Sequence, residues 1–580
     1  MTIDTPLIIK DWQTGMADSP HLGHALIQCA EIDTFPGAVR VGKQPLTAFH
    51  ASYTSTFTAD PTTDICTATA TVPRTGTAVY VSNSGGGLPA GLSANTVYFI
   101  INLSSTTFKL ATTLANANAS TAIDITTAGT GTQTVATVNP GTIKHYARDS
   151  RTGRMFSIDS NGRVWTSTSS IYQLLVNSAL DTGTGTLTNA SGGGLSVFRN
   201  SDGSATYLFA FRNAVVDVIN VFGTSNVETP SWTNAWKSLN TAAGSANSHH
   251  SIVGQDNIVY FVDDRYVGSI LEKAGQVFDP ANAATYTFNS TALTLPLGSL
   301  AYWLEQLDVK LLVSVANDSY IYPWDRSSIS YSMPLPLGEY GGNKMKNIGN
   351  IVYILAGSRG NIYWTQGTYI RPLKTLPQYV TYNSGTPTSG PVTWGGIAAL
   401  NGRLLVGVGA GSGNSGVYML NVSSGVMGVQ ANAMTLDNFP STGQANVTAI
   451  FAVNEFYEMG YANGSDVFTG SSRYSALGSV VLQSALYRVG TKTTKAKISQ
   501  VEAQIANGVA GVIRIGYRSD LTSSFTLITD PDTGATTFTT TTSATSYQCD
   551  VGIIDIENIQ IQVELAASAA IDLLEVRLNP

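Results

Sequence analysis

The chain has 580 residues, and only 12% of them are charged, with a formal net charge of −7. The charged share is about half of the roughly 25% typical of soluble domains, whereas the 43% hydrophobic share excludes a disordered chain. The acidic balance, without a basic block, excludes a typical nucleic-acid-binding protein. Three distant cysteines (Cys29, Cys66 and Cys549) exclude a disulfide framework. No apolar run is long enough for a membrane helix and the start lacks a secretory pattern, so we expect synthesis in a reducing cytoplasm without a membrane anchor.

The first predicted element is a short helix in SPHLGHALIQCAEID, residues 19–33. Ser19 can cap it and Pro20 suits the first helical position. Leu22, Leu26 and Ile27 would share one face. Together with a first strand, this helix makes residues 1–50 a predicted N-terminal arm.

Residues 51–140 are rich in Thr, Ala and Gly, and they have almost no charge. Their predicted strands lie in TAVYVSN, NTVYFIINL, TTFKLATT, STAIDITTA and TQTVATV. This separate composition and strand set predicts a small β-module, inserted between the arm and the rest of the chain and attached by few contacts.

Residues 141–479 contain a weak repeat of one apolar strand, a tight turn and a second strand. One apolar or aromatic residue marks each repeat, at Phe156, Phe209, Tyr260, Leu312, Tyr353, Leu405 and Phe456, with successive spacings of 53, 51, 52, 41, 52 and 51 residues. A period near 50 residues made only of strands predicts a β-propeller of about seven blades. We expect either the segment near Val39–Phe49 or the chain after Val467 to close the ring, because an open propeller exposes two sheet edges.

Residues 480–580 change to longer strands with alternating hydrophobic and polar residues. Ile513, Ile515 and Tyr517, for example, alternate with Arg514 and Arg518. This pattern predicts a C-terminal β-sandwich with one wet face. The predicted fold is therefore all-β.

Two motifs carry possible chemistry. SIDSNGRVW, from Ser157 to Trp165, resembles the Asp-box of sialidase-type propellers, with the additional residue Asn161. We interpret it as a hairpin turn in which Asp159 caps backbone amides. GSGNSG, from Gly411 to Gly416, matches a dinucleotide-binding pattern, but a strand-like sequence follows it where that pattern needs a helix. We therefore predict a loop.

Pairs of ionisable residues are further candidates. The carboxylate pairs Asp263/Asp264 and Glu455/Glu458 would suit glycoside hydrolysis if two of them faced each other in a cleft, but Asp263 and Asp264 also suit a turn before Arg265. The histidine pairs His21/His24 and His249/His250 lack nearby carboxylates or thiols. The sequence thus predicts no catalytic, cofactor-binding or metal-binding residue, and no enzyme activity.

Five aromatic residues leave two interpretations open. They are Trp232, Trp236, Tyr320, Tyr322 and Trp324, and we predict that they lie on loops. Exposed, they would form a sugar-binding platform. Buried, they would wedge between blades.

Three stretches resemble tailed-bacteriophage structural proteins. TTDICTAT, GTAVYVSNSGGGLPAGLSANTVYFII, TTFKLATT and TAIDITTAGTGTQTV, within residues 55–138, resemble a small β-module of phage proteins. DWQTGMADSPHLGHALIQCAEIDTFPGAVRVG, with Pro36, Gly37 and Arg40, is similar to the opening of tail-tip and nozzle propeller proteins. YRVGTKTTKAKISQVEAQI and IRIGYRSDLTSSFTLI resemble the sandwich that ends some of them.

The resemblance implies a structural virion protein at the distal tail, a nozzle or hub. It would form a homo-oligomeric ring, most simply a hexamer, contact tube, adaptor and fibre proteins, and pass viral DNA without binding it tightly. The alternatives are a receptor-binding tail protein that holds host surface glycan and a glycan-cleaving propeller.

Overall fold

The computed structural model shows an all-β chain. It describes residues 5–9, 26–29, 32–33, 39–41, 45–46, 52–167, 172–175, 193–222, 231–240, 248–376, 392–400, 402–409, 416–425, 428–437, 446–453, 456–463, 466–472, 479–484, 486–488, 497–505, 511–520, 523–529, 533–540, 546–550, 556–567 and 570–579.

The N-terminal region consists of short strands in its described parts. They are β1 (Thr5–Ile9), β2 (Leu26–Cys29), β3 (Ile32–Asp33), β4 (Val39–Val41) and β5 (Pro45–Leu46). The helix prediction for residues 19–33 is therefore wrong from Leu26 onward. The physical reason is tertiary pairing, which overrides a local helical pattern when a distant strand supplies hydrogen bonds.

Residues 54–137 form a closed six-stranded barrel. Its elements are β6 (Thr54–Asp60), β7 (Ile65–Ala68), β8 (Ala78–Ser84), β9 (Val97–Asn102), β10 (Thr107–Ala111), the helix α1 (Leu114–Asn118) and β11 (Thr132–Thr137). The strand order is β10-β7-β6-β11-β8-β9, with antiparallel pairs. Alternation explains the barrel: in β6 every second residue is buried, and Phe57 packs in its core with Cys66, Val79, Ile100 and Phe108.

One strand predicted for this module is absent from the described residues. Residues 120–128 (STAIDITTA) have no strand. Their amides bond irregularly instead: Ile123 N–H donates to Leu110 O, and Ile125 N–H donates to the Asp64 carboxylate. A side-chain acceptor thus replaces a regular ladder.

Seven four-stranded antiparallel sheets follow in the described part of the chain, numbered here in chain order. Sheet 1 is β12 (Ile143–Arg148), β13 (Met155–Asp159), β14 (Val164–Ser167) and β15 (Tyr172–Leu175); sheet 2 is β16 (Gly194–Arg199), β17 (Thr206–Arg212), β18 (Val215–Asn220) and β19 (Ser231–Ser238); sheet 3 is β20 (Ser251–Val253), β21 (Val259–Asp263), β22 (Tyr266–Glu272) and β23 (Tyr286–Thr294); sheet 4 is β24 (Ala301–Leu307), β25 (Lys310–Val315), β26 (Tyr320–Trp324) and β27 (Leu335–Pro336). Sheet 5 is β28 (Gly342–Ile348), β29 (Ile351–Ala356), β30 (Asn361–Thr365) and β31 (Ile370–Thr375); sheet 6 is β32 (Thr393–Leu400), β33 (Arg403–Gly409), β34 (Gly416–Gly425) and β35 (Gly428–Asp437); sheet 7 is β36 (Asn446–Val453), β37 (Phe456–Asn463) and β38 (Asp466–Ser472), with β5 as its fourth strand.

Each sheet packs its apolar face against the next one. Phe209 of sheet 2 and Phe261 of sheet 3 share one buried cluster, and Leu405 of sheet 6 and Tyr457 of sheet 7 share another. Sheet 7 also packs on sheet 1, where Ala449 meets Ile143. Sheets that pack face to face in sequence, with the last against the first, form a β-propeller.

The repeat residues predicted from the sequence all occupy the same structural position. Phe156, Phe209, Tyr260, Leu312, Tyr353, Leu405 and Phe456 each lie in the second strand of their sheet. The spacing of the sequence repeat therefore reports the spacing of second strands, because these strands are covered on both faces and need continuous apolar residues.

Of the two segments predicted to close the ring, the one near Val39–Phe49 supplies the last strand of sheet 7. Leu46 of β5 pairs with Ser471 of β38 in an antiparallel register. The outer edge of sheet 7 is thus paired with residues more than four hundred positions away.

The C-terminal region forms two further sheets. Its strands are β39 (Ser479–Ser484), β40 (Tyr487–Arg488), β41 (Lys497–Ile505), β42 (Gly511–Arg518), β43 (Thr526–Leu527), β44 (Phe538–Thr540), β45 (Ser546–Asp550), β46 (Asn558–Ala567) and β47 (Ala570–Asn579). One sheet has the order β3-β4-β47-β41-β45 with β1 on β47, and the other has the order β2-β39-β46-β42-β43 with β40 on β46 and β44 on β42. Strands β1 to β4 thus belong to these sheets rather than to a free arm.

One residue of β42 departs from the exposed polar face that the sequence predicts. Ile513 and Ile515 are buried beside Ile561, and Arg514 is exposed, as the alternation predicts. Arg518, however, is only 4% exposed. It donates to Gln560 Oε1 at 2.6 Å and to Ser523 O at 3.1 Å, and these acceptors compensate its burial.

Candidate functional site

The first strands of the seven sheets surround two cavities, of about 460 and 670 Å³. Along β12 the lining passes from Thr142 in the larger cavity to Arg148 in the smaller one, and along β36 it passes from Asn446 to Ala452. The cavities therefore follow one another along the direction of the first strands. We call them together the axial channel.

Five residues line both cavities and form what we call the constriction: Lys144, His145, His250, Trp303 and Lys344. They come from β12, β24, β28 and the residue before β20. The consecutive residues Lys144 and His145 both reach the channel, and the register of β12 against β13 shifts between Ile143 and His145. Residues far apart in the sequence, such as His145 and His250, thus meet at one level.

An aromatic stack occupies the constriction. The ring of His250 lies 3.4 Å from that of Trp303, centroid to centroid, at an interplanar angle of 15°. The ring of His145 stands edge-on to His250 at 4.8 Å. Leu304 N–H donates to His250 Nδ1 at 3.1 Å, so Nδ1 is an acceptor and a neutral His250 carries its proton on Nε2.

Both histidines are neutral at pH 7. Burial, with Lys344 next in importance, lowers the pKa of His145 to about 4. Burial also lowers the pKa of His250 well below its usual value, and the positive field of its neighbours acts in the same direction. A second proton on either ring would add positive charge to a site that already holds cations.

Lys344 is the deepest cation of the channel, with 6% of its surface exposed. Its ammonium group donates to the carbonyl oxygens of Gly395 and, at 3.3 Å, Thr448, and it lies 5.5 Å from the centroid of the Trp303 ring. Burial, with a smaller contribution from Lys144, lowers the pKa of Lys344 to about 7. Its partners are neutral dipoles rather than a carboxylate.

The smaller cavity has an excess of positive charge. Lys144, Arg148, Lys344 and Lys346 line it, and Glu305 is the acidic residue among its described lining. Lys346 Nζ lies 3.8 Å from Glu305 Oε2, which compensates one of the four cations. Burial raises the pKa of Glu305, and Lys346 opposes that shift. In a chain of net charge −7, this cavity is therefore locally basic.

The Asp-box-like motif forms the predicted turn. The buried carboxylate of Asp159 accepts from the backbone N–H groups of Gly141, Asn161 and Arg163 and from Trp165 Nε1, at 2.8 to 2.9 Å. Burial raises its pKa, while these donors lower it. The interpretation of Asp159 as a cap of backbone amides is confirmed.

The adjacent histidines have different surroundings. His249 Nδ1 lies 3.1 Å from Val262 O inside sheet 3, whereas His250 lines the channel. Asp263 and Asp264 form the hairpin before Arg265, with Asp264 at a φ of +58°, as the turn interpretation predicts. Glu458 is buried in β37.

The aromatic residues lie on strands, not on the predicted loops. Trp232 and Trp236 belong to β19, and Tyr320, Tyr322 and Trp324 belong to β26. Tyr322 and Trp324 are buried between sheets 3 and 4, and Trp236 packs between sheets 2 and 3. The wedge interpretation is confirmed for these three, and it also holds for Trp232, which is partly buried against the cluster that sheets 1 and 2 share. Tyr320 is 42% exposed.

Several candidates lie outside the described residues. They are His21, His24, Glu455 and Gly411 to Ser415 of the glycine-rich motif; the strand β34 begins at Gly416, as expected after this loop. In the ranges that the structure does describe, no group of three His, Cys, Asp or Glu residues could hold a metal ion. The same ranges contain no helix with the length and apolar character needed to cross a bilayer.

Sequence reasoning missed His145, Trp303, Lys344, Lys346 and Glu305. One signal was present: KMK at residues 344–346 puts two cations in one short strand of a chain that has few charges. Their convergence depends on sheet order, which local patterns do not contain.

No protein-family model matches this chain, and neither does any curated protein sequence. Among solved structures, it is similar to the beta-propeller domain of Cps50 (Swd1) from Myceliophteria thermophila, at 8% identity and a TM-score of 0.37, over 57% of this chain and 97% of that one. A chain of the Mitotic Checkpoint Complex gives 11% identity and a TM-score of 0.36, over 58% and 90%. The computationally designed Ika8 protein gives 13% identity and a TM-score of 0.32, over 57% and 96%.

Proposed function

We propose that the chain is a structural, non-enzymatic protein of a bacteriophage tail that forms a ring at the distal end, and that its seven sheets are the seven blades of a propeller. The ring is a hexamer in the virion tail, and it contacts tube, adaptor and fibre proteins. The proposal rests on the three resembling stretches of sequence. Within it, residues 51–140 are the inserted module and the terminal sheets are the sandwich.

The structural observation that supports the proposal is the pairing of the N-terminal strands with strands from distant parts of the chain. β1 pairs with β47 over Thr5 to Ile9, and β2 pairs with β39. β5 then completes sheet 7. The N-terminal strands are therefore tied by hydrogen bonds to the C-terminal sheets and to sheet 7, which suits a rigid structural component.

The path of DNA in this proposal lies between copies. The stack of His250 on Trp303 occupies the level where the two cavities meet, and cavities of about 460 and 670 Å³ do not admit a duplex. A ring of copies would instead enclose a lumen, and a net charge of −7 per copy disfavours phosphate binding there.

Native mass spectrometry of the purified full chain tests the ring, with six copies as the expected result. A mobility-shift assay with duplex DNA at micromolar protein in 50 mM salt should show no complex. Monomers at tens of micromolar, or a retarded DNA band, would contradict the proposal.

Glycan recognition is the second candidate, and one observation favours it. Tyr320, Tyr340 and Tyr369 are 42%, 66% and 41% exposed on neighbouring sheets 4 and 5 or the segment between them. Exposed aromatic rings suit the apolar faces of sugars. Retention on host surface polysaccharide, lost on substitution of these tyrosines by alanine, would support receptor binding, and release of oligosaccharide would support the glycan-cleaving alternative.

A further inference from the structure

The smaller cavity of the axial channel concentrates positive charge. Four cationic side chains line it against one described carboxylate, Glu305, and Lys346 already pairs with that carboxylate at 3.8 Å. Like charges gathered in a partly desolvated space repel one another unless a counter-charge enters. The chain keeps this arrangement although only 31 of its 580 residues are Lys or Arg.

We propose that the smaller cavity binds a small anion with two or more negative charges, a phosphate compound or a polycarboxylate. Lys344 supplies a buried ammonium where the smaller cavity meets the larger one, and Lys144, Arg148 and Lys346 supply the surrounding charge. This inference does not depend on the ring or on the phage assignment.

The cavity has the size and access that such a ligand needs. Its volume of about 460 Å³ lies in the range of small-molecule sites. Lys144 is exposed and the Lys346 side chain is 39% exposed, so a ligand reaches these groups from solvent. Where the two cavities meet, Trp303 packs with Lys344 and His250, which fixes the ammonium group beside two carbonyl oxygens.

The charge of Lys344 makes binding depend on pH. The groups that face it are Lys144 and His145 from β12, His250 before β20, Glu305 from β24 and Lys346 from its own strand, and β32 and β36 contribute backbone carbonyls. With a pKa of about 7, Lys344 is protonated below pH 7 and neutral above it. Affinity for an anion of constant charge therefore falls as the pH rises from 6 to 8.5.

The test is isothermal titration of the full chain in a chloride buffer at pH 6.5, with inorganic phosphate, sulfate and citrate as separate probes. We expect saturable one-to-one binding with a Kd below about 1 mM for at least one probe. Stronger binding of phosphate points to a phosphate compound, and stronger binding of citrate points to a polycarboxylate. No saturable binding of any probe overturns the proposal.

Two variants locate the site. Lys346→Gln, on a partly exposed side chain, and Lys344→Met should each weaken binding at least tenfold. Lys273→Gln, in an exposed turn of sheet 3, is the matched control and should bind like the unmodified chain. Equal weakening in the control, or unchanged binding by Lys346→Gln, overturns the site.

Sulfate titrated between pH 6 and 8.5 tests Lys344 without a change of the probe's own charge. At least a fivefold loss of affinity is expected across this range. A flat profile overturns the role of Lys344, and this readout remains decisive if Lys344→Met does not fold.

Discussion

Two regions of the propeller bury charged groups in opposite ways. In the hairpins, Asp159 has four donors within 2.9 Å, and Asp217 accepts from the Arg212 guanidinium and from Ala235 N–H at 2.8 Å. In the axial channel, Lys344 meets carbonyl dipoles and other cations. The fold supplies hydrogen-bond donors to the hairpin carboxylates, whereas Lys344 has carbonyl oxygens but no carboxylate as its partners.

This difference separates structural charges from candidate functional ones. A buried carboxylate with a full set of donors is costly to remove, because its loss leaves those donors without their acceptor. A buried charge without a counter-ion costs stability, and proteins keep such costs mainly at binding and catalytic sites. Substitutions in the two regions should therefore change stability with opposite signs.

The largest effect is expected at the hairpin. Asp159→Ala removes the acceptor of four hydrogen bonds, three of them buried, and it should lower the free energy of unfolding by about 3 kcal/mol or more, measured by urea denaturation. Asp202 is an exposed turn aspartate that accepts from Ser204 N–H at 2.9 Å. Asp202→Ala is the matched control and should leave the urea midpoint nearly unchanged. Equal losses in both variants would remove the contrast.

In the channel, substitution of Lys344 is expected to raise the free energy of unfolding. Between pH 7 and 10 the unfolded chain binds more protons at Lys344 than the folded chain does, because the folded-state pKa is about 7. The stability contributed by this site therefore rises with pH in that window. Lys344→Met should be more stable than the unmodified chain by about 2 kcal/mol at pH 6.5, and less so at pH 9.

Urea denaturation at the two pH values measures this difference, with Lys273→Met, in an exposed turn, as the control. A Lys344→Met chain that is less stable at pH 6.5 would show that the two carbonyl contacts outweigh the cost of the charge. Lys344 would then belong with the structural charges of the hairpins.

The sequence predicts a region well when the residues that interact there are close together in the chain. The turn of Asp159 was predicted because all its donors lie between Gly141 and Trp165. The channel was missed because its residues lie on strands that are far apart in the sequence, from β12 (Ile143–Arg148) to β28 (Gly342–Ile348). Only the closed ring brings their side chains to one level.

The same rule explains the errors at the chain ends. The pattern around Leu26 has helical spacing, but β2 finds its hydrogen-bond partners in β39, from Ser479 onward. No local signal reports a partner at that distance. The second strands of the seven sheets were located correctly because strands that are buried on both faces consist of continuous apolar residues, which the local sequence shows.

A smaller effect is expected from the channel histidines. The folded-state pKa of His145 is about 4, below the usual 6.5, so the unfolded chain binds more protons between these values. Stability at this site is complete above pH 6.5 and is lost as the pH falls toward 4. When the pH falls from 7 to 5, the free energy of unfolding of the His145→Gln chain should decrease by about 1 kcal/mol less than that of the unmodified chain.

Urea midpoints of both chains at pH 7 and pH 5 give this difference, and the value at pH 7, where the histidine is neutral, serves as the baseline. Parallel losses in the two chains would mean that His145 takes up its proton in the folded state at little cost. The channel would then have a counter-charge for it, contrary to the comparison.

The smallest effect is expected from removal of the barrel. This experiment tests whether the hairpin and the channel keep their properties in the propeller without the barrel. The barrel has its own core around Phe57 and Phe108. Its cluster with the propeller contains two described side chains from sheet 1, Trp165 and Leu174. Replacing residues 52–138 by a short Gly-Ser linker should thus lower the Tm by only a few degrees, since Trp165 keeps its bond to Asp159 and loses some apolar neighbours. Anion titration of the same variant should match that of the full chain, because no lining residue of the channel lies in the barrel. Insoluble protein would instead show that the barrel completes the core of sheet 1. In that case the barrel would also stabilise the hairpin of Asp159.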